Sequence, residues 1–403
     1  MKTQNTNIGL FGYGVVGKGF YKLSLDHPQL KINTKRIVIK HRNKHVKAEH
    51  VSNTVHSSEI HFSLQAGDIL NDKGITTIVE LINNSEDAYR IAKNVLENGN
   101  TLITANKKML ADHFIELLEL EKLYGGCLLY EASSAASIPI IRLLDTYFAN
   151  EEIRLVEGIL NGTSNFILSS IFNNNITFKE ALNQAQIKGF AESDPTLDIT
   201  GLDALNKLII INAHAFGVIV KTQEVFNYGI THLDKQDIEF ARQNGFVIKQ
   251  VAHASVNPEG KLLLYVAPQF VKPQNPLRHV DSENNGIVVD AVHSGKQFYS
   301  GKGAGGSPTG AAVLADVISS AQHKNYTYTK LRKPVTVRYD DSLSVSVYLR
   351  YSKVIKRLPF KINVKKHYVL GEFNFTIGYV SLKELILYKV WLEANEVSLI
   401  ILS

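Results

Sequence analysis

A single cysteine, Cys127, in a chain of 403 residues excludes an internal disulfide and any metal site built from cysteine thiolates. It stands in GGCLLYE as a small residue entering a strand. No run of 18 apolar residues occurs, which removes a membrane-spanning helix, and the opening MKTQNTN lacks the apolar core of a secretory signal. A cytoplasmic protein with no membrane partner is expected. Net charge is modest as well, with 44 Lys and Arg against 38 Asp and Glu. The surplus lies from Leu331 onward, where 12 cations meet 6 acids. Those cations are spread through the strand-like LSVSVYLRYS and FKINVKKHYVL instead of forming a cluster, so no nucleic-acid partner is expected.

The length predicts two or three domains, each large enough for its own core. The first 145 or so residues alternate strand and helix patterns, with NIGLF, RIVIK, TTIVELI, TLITA and CLLYEA as strands, which predicts a doubly wound α/β sheet. Gly12, Gly14 and Gly17 give GxGxxG spacing directly after a strand and at the start of a helical pattern. In that context the first glycine makes the turn, the second lets a pyrophosphate approach and the third packs helix on strand. Gly12, Gly14, Val15, Val16 and Gly17 are therefore expected to hold NADP or NAD. The second strand ends in Lys40, His41 and Arg42, with no Asp or Glu to take ribose hydroxyls. Cations there suit the 2′-phosphate of NADP, or form a solvated basic loop.

In SEDAYRIAKNVLENGN, Ser85 is the expected cap and Gly99 the stop of a helix. Ligands of such sheets bind beyond the carboxyl ends of the strands. Asn83 and Asn84 after TTIVELI, and Lys107 after TLITA, are placed there, although Lys107 could equally be a solvated lysine at a helix start. Lys108 lies one residue further from the strand.

From Asn150 the pattern changes to strands and helices that suit an open mixed sheet. Thr177 and Glu180 form a capping box for a helix that Gly189 ends. There follows AESDPTLDITGLDALNK, which gathers Glu192, Asp194, Asp198 and Asp203 just before Lys207. Asp203 and Lys207 stand one turn apart, acid first, the favourable order on a helix. Such a pair is commonly a surface salt bridge. The helix continues as LIIINAHAFG, however, apolar almost all round, which predicts burial and makes the pair the polar mouth of an inward-facing helix. A half-buried lysine shifts its pKa readily and can move protons near neutral pH. Further on, GKGAGGSPTGAAVLADVI puts Gly303 in a glycine-rich loop before a helix, either a set of amides for a phosphate or ribose, or a structural turn. Gly189 and Gly303 complete the residues expected around the dinucleotide. His214 and His232 lack partners at metal-ligand spacing.

GFAESDPTLDITGLDALNK, EGILNGTSNFIL, TANKKML, YEASSAASIPII and GKGAGGSPTGAAVLAD, behind an N-terminal GxGxxG, resemble the homoserine dehydrogenase family over roughly residues 7 to 325. The resemblance implies NAD(P)-dependent interconversion of L-homoserine and L-aspartate 4-semialdehyde in threonine and methionine biosynthesis, by a homodimer. It implies a dinucleotide domain over 1–147 completed by 301–330, and a substrate and dimerisation domain over 148–300. Lys207 matches the catalytic lysine and Lys107 the lysine of the TANK motif. Glu192 and Asp203 match the acids that hold the homoserine amino group, with Asp198 in support.

The resemblance also implies a sodium or potassium ion bound largely by backbone carbonyls at Glu131, Ser134, Ala136 and Ile138. Here SSAAS stands where many members have a glycine pair, which restricts the backbone. Residues 335–403 read as a small C-terminal α+β extension with the size of an ACT-like regulatory module. They lack an acidic, glycine-containing turn to open an effector loop, so either a divergent module or a packing element is expected. Two rival functions are another amino-acid dehydrogenase on the same scaffold, and a non-catalytic dinucleotide-binding regulator.

Overall fold

The computed structural model describes residues 5–40, 61–333 and 336–402. His41 and Arg42 lie outside the described residues. The chain divides into two compact units, Met1–Thr146 with Ala304–Thr327, and Tyr147–Gly303 with Tyr328–Ser403. Among the described residues no helix is long and apolar enough to cross a membrane.

The first unit holds strands β1 (Thr6–Phe11), β2 (Ile32–Val38), β3 (Phe62–Ser63), β4 (Thr77–Glu80), β5 (Thr101–Thr104) and β6 (Cys127–Leu129). They form one parallel sheet in the order β3-β2-β1-β4-β5-β6. That is the order of a dinucleotide-binding sheet, with its reversal point between β1 and β4. All four β4 residues are buried, as a strand covered on both faces requires.

The helix Ser85–Glu97 buries Ala88, Ile91, Ala92, Val95 and Leu96 at helical spacing. Its cap is Asn84 instead of Ser85: Asn84 keeps an extended backbone and its Oδ1 accepts from Asp87 N at 2.8 Å, while Ser85 is already helical. The returning helix Gly306–Ala321 lies tightly on the helix Val15–Asp26. A Cβ on Gly19 would sit 2.2 Å from Gly306 O, and one on Gly310 2.6 Å from Phe20 N. At those positions close helix approach is what demands glycine.

The second unit is built on strands β7 (Ile153–Ile159), β8 (Phe226–Asn227), β9 (Val247–Val256), β10 (Lys261–Val271), β11 (Asn284–Ala291), β12 (Gly295–Lys302), β13 (Arg338–Tyr339), β14 (Ser344–Ser352), β15 (Asn363–Leu370), β16 (Phe373–Ser381) and β17 (Ser398–Leu402). They make one mixed sheet, β12-β11-β7-β9-β10-β17-β14-β16-β15, with β8 and β13 also paired to β10. The helix Leu202–Phe216 is buried at every residue from Asp203 to Phe216, which its all-round apolar sequence foretells.

The residues from 336 on build no separate sheet. β17 joins β10 in parallel, and Val347, Leu349, Leu392 and Leu399 share one apolar core with Phe226, Tyr228 and Tyr265. A buried charge ties the same regions. Asp237, fully buried, accepts from Arg350 Nε at 2.9 Å, Arg350 Nη2 at 3.0 Å, Tyr348 OH at 3.0 Å and Ser398 Oγ at 2.8 Å. Numbered within the tail, the antiparallel strands run fourth, first, third, second, with the helices Leu382–Leu387 and Lys389–Ala394 between the third and fourth. Between the first and second, residues 353–362 form turns and no helix.

Candidate functional site

In the second unit the helix Gly162–Asn174 starts at Asn161, whose Oδ1 accepts from Ser164 N at 2.7 Å as an N-cap. The amide of the same side chain points the other way. Its Nδ2 donates to Asp198 Oδ1 at 2.6 Å and to Asp203 Oδ2 at 2.9 Å. One asparagine thus joins two carboxylates that are 5 residues apart in sequence and lie on either side of the turn at Gly201, where φ is +82°. Burial, and then the charge of Asp203, hold the Asp198 carboxyl above its ordinary range, while the bond from Asn161 pulls it down.

Lys207 follows one turn after Asp203. Its Nζ lies 2.8 Å from Asp203 Oδ2 and donates to Leu160 O at 2.7 Å. With side-chain exposures of 10% and 8%, this pair is not a surface bridge. Asn285 Nδ2 shares Leu160 O at 3.2 Å, and Gly303 is pressed on Asn285, its would-be Cβ 2.1 Å from Oδ1. The structure therefore brings together Asp198, Asp203 and Lys207 around Asn161.

Glu192 and Asp194 are exposed on the loop leading in. Asp194 accepts from Thr196 N and Oγ1 at 3.1 and 2.5 Å, which commits it to a local turn and lowers its pKa. Gly189, at φ +75°, ends the helix Phe178–Ile187 in the same unit, after the capping box of Thr177 and Glu180.

In the first unit the fingerprint glycines have separate physical reasons. Gly12, at φ +92°, would put a Cβ 2.6 Å from Leu81 O, and Gly17 would put one 2.2 Å from Gly12 O. Gly14 has open space around it and precedes the helix Val15–Asp26. The first intrahelical bond there runs from Lys18 N to Gly14 O, so the amides of Val15, Val16 and Gly17 precede the ladder at the positive end of the helix dipole. An anion fits such a turn.

Lys40 is exposed just after β2, and Asn83 is exposed just after β4. Lys107 opens the helix Lys107–Tyr124 and is half-buried, whereas Lys108 is exposed and pairs with Asp112 at 2.7 Å. Asn106 caps that helix by accepting from Met109 N at 3.0 Å, and its Nδ2 donates to Ile82 O at 3.1 Å. Glu80 lies beneath, accepting from Ile82 N at 2.7 Å and Thr104 Oγ1 at 2.5 Å. Burial pushes its carboxyl up to about 7. Sequence reading passed over Asn161, Asn106 and Glu80. Asn-Gly ahead of a helical run in ILNGTSNF signals the first of them as a cap, but nothing local says that its amide meets acids some 40 residues on.

The loop after β6 is buried at Glu131, Ser134, Ala136 and Ile138. Ala136 adopts φ +48°, the left-handed region that suits the glycine absent here. The Glu131 side chain accepts from Ile141 N at 3.0 Å and Arg142 N at 2.8 Å. Burial, then nearby Asp316, pushes the Glu131 carboxyl up to about 8. Since that carboxyl caps a turn, a cation at this loop would depend on backbone carbonyls, a hard oxygen set that suits sodium or potassium. Among the described residues no group of three or more His, Cys, Asp or Glu side chains could hold a metal. His214 is buried beside the Tyr328 ring, and His232 is half-buried, its pKa lowered by that burial.

A family model described as homoserine dehydrogenase matches residues 139–318. A homoserine dehydrogenase of Helicobacter pylori is 36% identical over 326 residues, covering 79% of this chain and 74% of that one. Among solved structures, a homoserine dehydrogenase from Thiobacillus denitrificans superposes with a TM-score of 0.83 at 26% identity, covering 99% of this chain and 98% of that one. A hyperthermophilic archaeal homoserine dehydrogenase in complex with NADPH shares the fold, with a TM-score of 0.67 at 23% identity over 79% of this chain and 98% of that one.

Proposed function

The chain belongs to the homoserine dehydrogenase family, oxidoreductases that act on the homoserine hydroxyl group, and from that premise we propose which of its residues carry the reaction. The carrying observation is the constellation in which buried Asn161 bridges half-buried Asp198 and buried Asp203 while Asp203 pairs with buried Lys207.

An α-ammonium needs carboxylates, and Asp203 and Asp198 supply them, with Glu192 offered from the exposed loop leading in. A reacting alcohol needs a proton acceptor, and Lys207 supplies one when neutral. In the reducing direction Lys207 in its charged form gives a proton to the aldehyde oxygen of L-aspartate 4-semialdehyde and stabilises the negative charge that grows there. Asp203 and Leu160 O fix the Nζ position, so little reorganisation accompanies the transfer. Lys107 assists.

Gly12, Gly14, Val15, Val16 and Gly17 would hold the dinucleotide pyrophosphate, with Asn83 and Lys107 at the strand ends and Gly189 and Gly303 completing the set. When bound, the nicotinamide accepts or returns the hydride of substrate C4. Lys40, together with the lack of an acid after β2, favours NADP over NAD, and the archaeal relative's NADPH supports that choice. The carbonyls of Glu131, Ser134, Ala136 and Ile138 are the proposed seat of a sodium or potassium ion. The same reading makes the protein a cytoplasmic homodimer, acting in threonine and methionine biosynthesis.

Reduction of NADP and of NAD should be followed with L-homoserine, L-serine and L-threonine. Turnover with homoserine alone, faster with NADP, is expected. Comparable turnover with serine or threonine would point to another amino-acid dehydrogenase, and no turnover in potassium or sodium buffers to a non-catalytic regulator.

A further inference from the structure

The turn that sets Asp198 and Asp203 at their mutual distance, Ile199–Thr200–Gly201, is held by a segment of chain that is itself held by the C-terminal residues. Asn227 Nδ2 donates to Thr200 O at 2.9 Å, and Ile230 N donates to Ile199 O at 2.9 Å. Gly229 is pressed against the same turn, its would-be Cβ 2.5 Å from Ile199 O. From the other side, Lys389 Nζ donates to Asn227 Oδ1 at 2.8 Å, and Tyr228 OH donates to Val397 O at 2.7 Å. Phe226 and Tyr228 are buried in one core with Leu385, Leu392 and Val397.

We infer that the C-terminal segment is a positioning element for the substrate carboxylates, acting from Lys389 through Asn227 on the Thr200 carbonyl. The inference rests on the reading of Asp198 and Asp203 as substrate-binding acids. Asn227 is 5% exposed and uses both ends of its amide, one on each neighbour, so it cannot shift toward one without losing the other. Lys389 is the charged member, and a charge-assisted bond is the stronger kind. Its loss frees Asn227 to turn, and the carbonyl between the two acids loses its fixed donor. This gives the tail a role that needs no effector site.

Lys389→Met keeps the apolar stem and removes the donor, and Lys389→Arg restores a donor. The KM for L-homoserine should rise roughly three- to tenfold in Lys389→Met, the scale on which substitutions outside a site modulate it. The KM for NADP should stay unchanged while the thermal midpoint falls only modestly, as Asn227 Oδ1 loses its donor, and Lys389→Arg should recover most of the loss. Val390→Ser, on the same helix at a residue 76% exposed, should do nothing. Amide exchange at Ile199–Asp203 should quicken in Lys389→Met even where KM is hard to measure. Asp203→Asn is run in parallel. If it raises the homoserine KM while Lys389→Met changes neither KM nor exchange, the inference fails alone. If both KM values rise together with a lower midpoint, the tail is general packing and the inference is overturned. If Asp203→Asn leaves the homoserine KM untouched, the acids are not the substrate site, and both readings fall.

Discussion

Asp203 Oδ2 and Lys207 Nζ lie 2.8 Å apart on successive turns of one buried helix, and neither side chain is more than 10% exposed. Removing one partner leaves a buried charge without its counter-charge, whereas removing both leaves none. Asp203→Ala should therefore lower unfolding stability by about 3 kcal/mol, and Asp203→Leu combined with Lys207→Met should restore most of it. Urea unfolding of these variants and of Asp203→Leu and Lys207→Met alone checks this. Losses that simply add would show that the two groups do not depend on each other.

Asn161 has two roles that one substitution separates. Serine is as good an N-cap as asparagine, but it cannot present two amide hydrogens to Asp198 and Asp203. Without the bond from Asn161, burial and the charge of Asp203 raise the Asp198 carboxyl further. In Asn161→Ser the acid limb of kcat/KM for homoserine should move to higher pH with little change in thermal midpoint. An unmoved acid limb would reduce Asn161 to its cap, which serine keeps.

Glu80 gives a pH dependence of the opposite kind from a salt-bridged acid. Its folded pKa, about 7, lies above its ordinary value of 4.5, so the folded state holds a proton that the unfolded state gives up. The associated stability is fully present below about pH 4.5 and is lost as pH rises through 7. Glu80→Gln keeps the shape without the titration. It should flatten the fall of stability between those limits, by up to ~3 kcal/mol. An unchanged slope in urea titrations at pH 5 and pH 8 would contradict the assignment.

Much of the first unit is legible in sequence because its determinants are local. GxGxxG between a strand and a helix calls for a turn at φ > 0, an open second glycine and a close third one, and Gly12, Gly14 and Gly17 meet those needs in turn. The acid and lysine block is legible for a similar reason, since a four-residue spacing on an apolar helix already says that Asp203 meets Lys207 inside. Asn161 is not, because its amide bonds cross 37 and 42 residues. The tail misleads for the same reason. Its alternation predicts strands, but not that β17 joins β10, nor that Arg350 closes on Asp237, 113 residues earlier. Ser85 loses the cap to Asn84 because both are cap residues and only the backbone decides between them.

Ala136 shows what a missing glycine costs. At φ +48° an alanine carries a penalty of roughly 1–2 kcal/mol, partly offset by the smaller entropy it loses on folding. Ala136→Gly should raise stability by about 0.5–1 kcal/mol, and Ala136→Val should lower it. Chemical denaturation in sodium, potassium and a large organic cation would read both effects. A less stable Ala136→Gly would mean that the loop does not hold this conformation.

The central claim is that Lys207 moves the proton at the homoserine oxygen, and the most direct test sets turnover against cofactor affinity in Lys207→Ala. General acid–base groups contribute about 10²–10⁴ in rate, so kcat with L-homoserine should fall by about that factor while the dissociation constant for NADP, read by fluorescence, stays within about twofold. Turnover within tenfold of the unaltered protein, or a loss of NADP binding, would contradict the account, the first by removing the lysine from the chemistry and the second by assigning it to the fold or the dinucleotide.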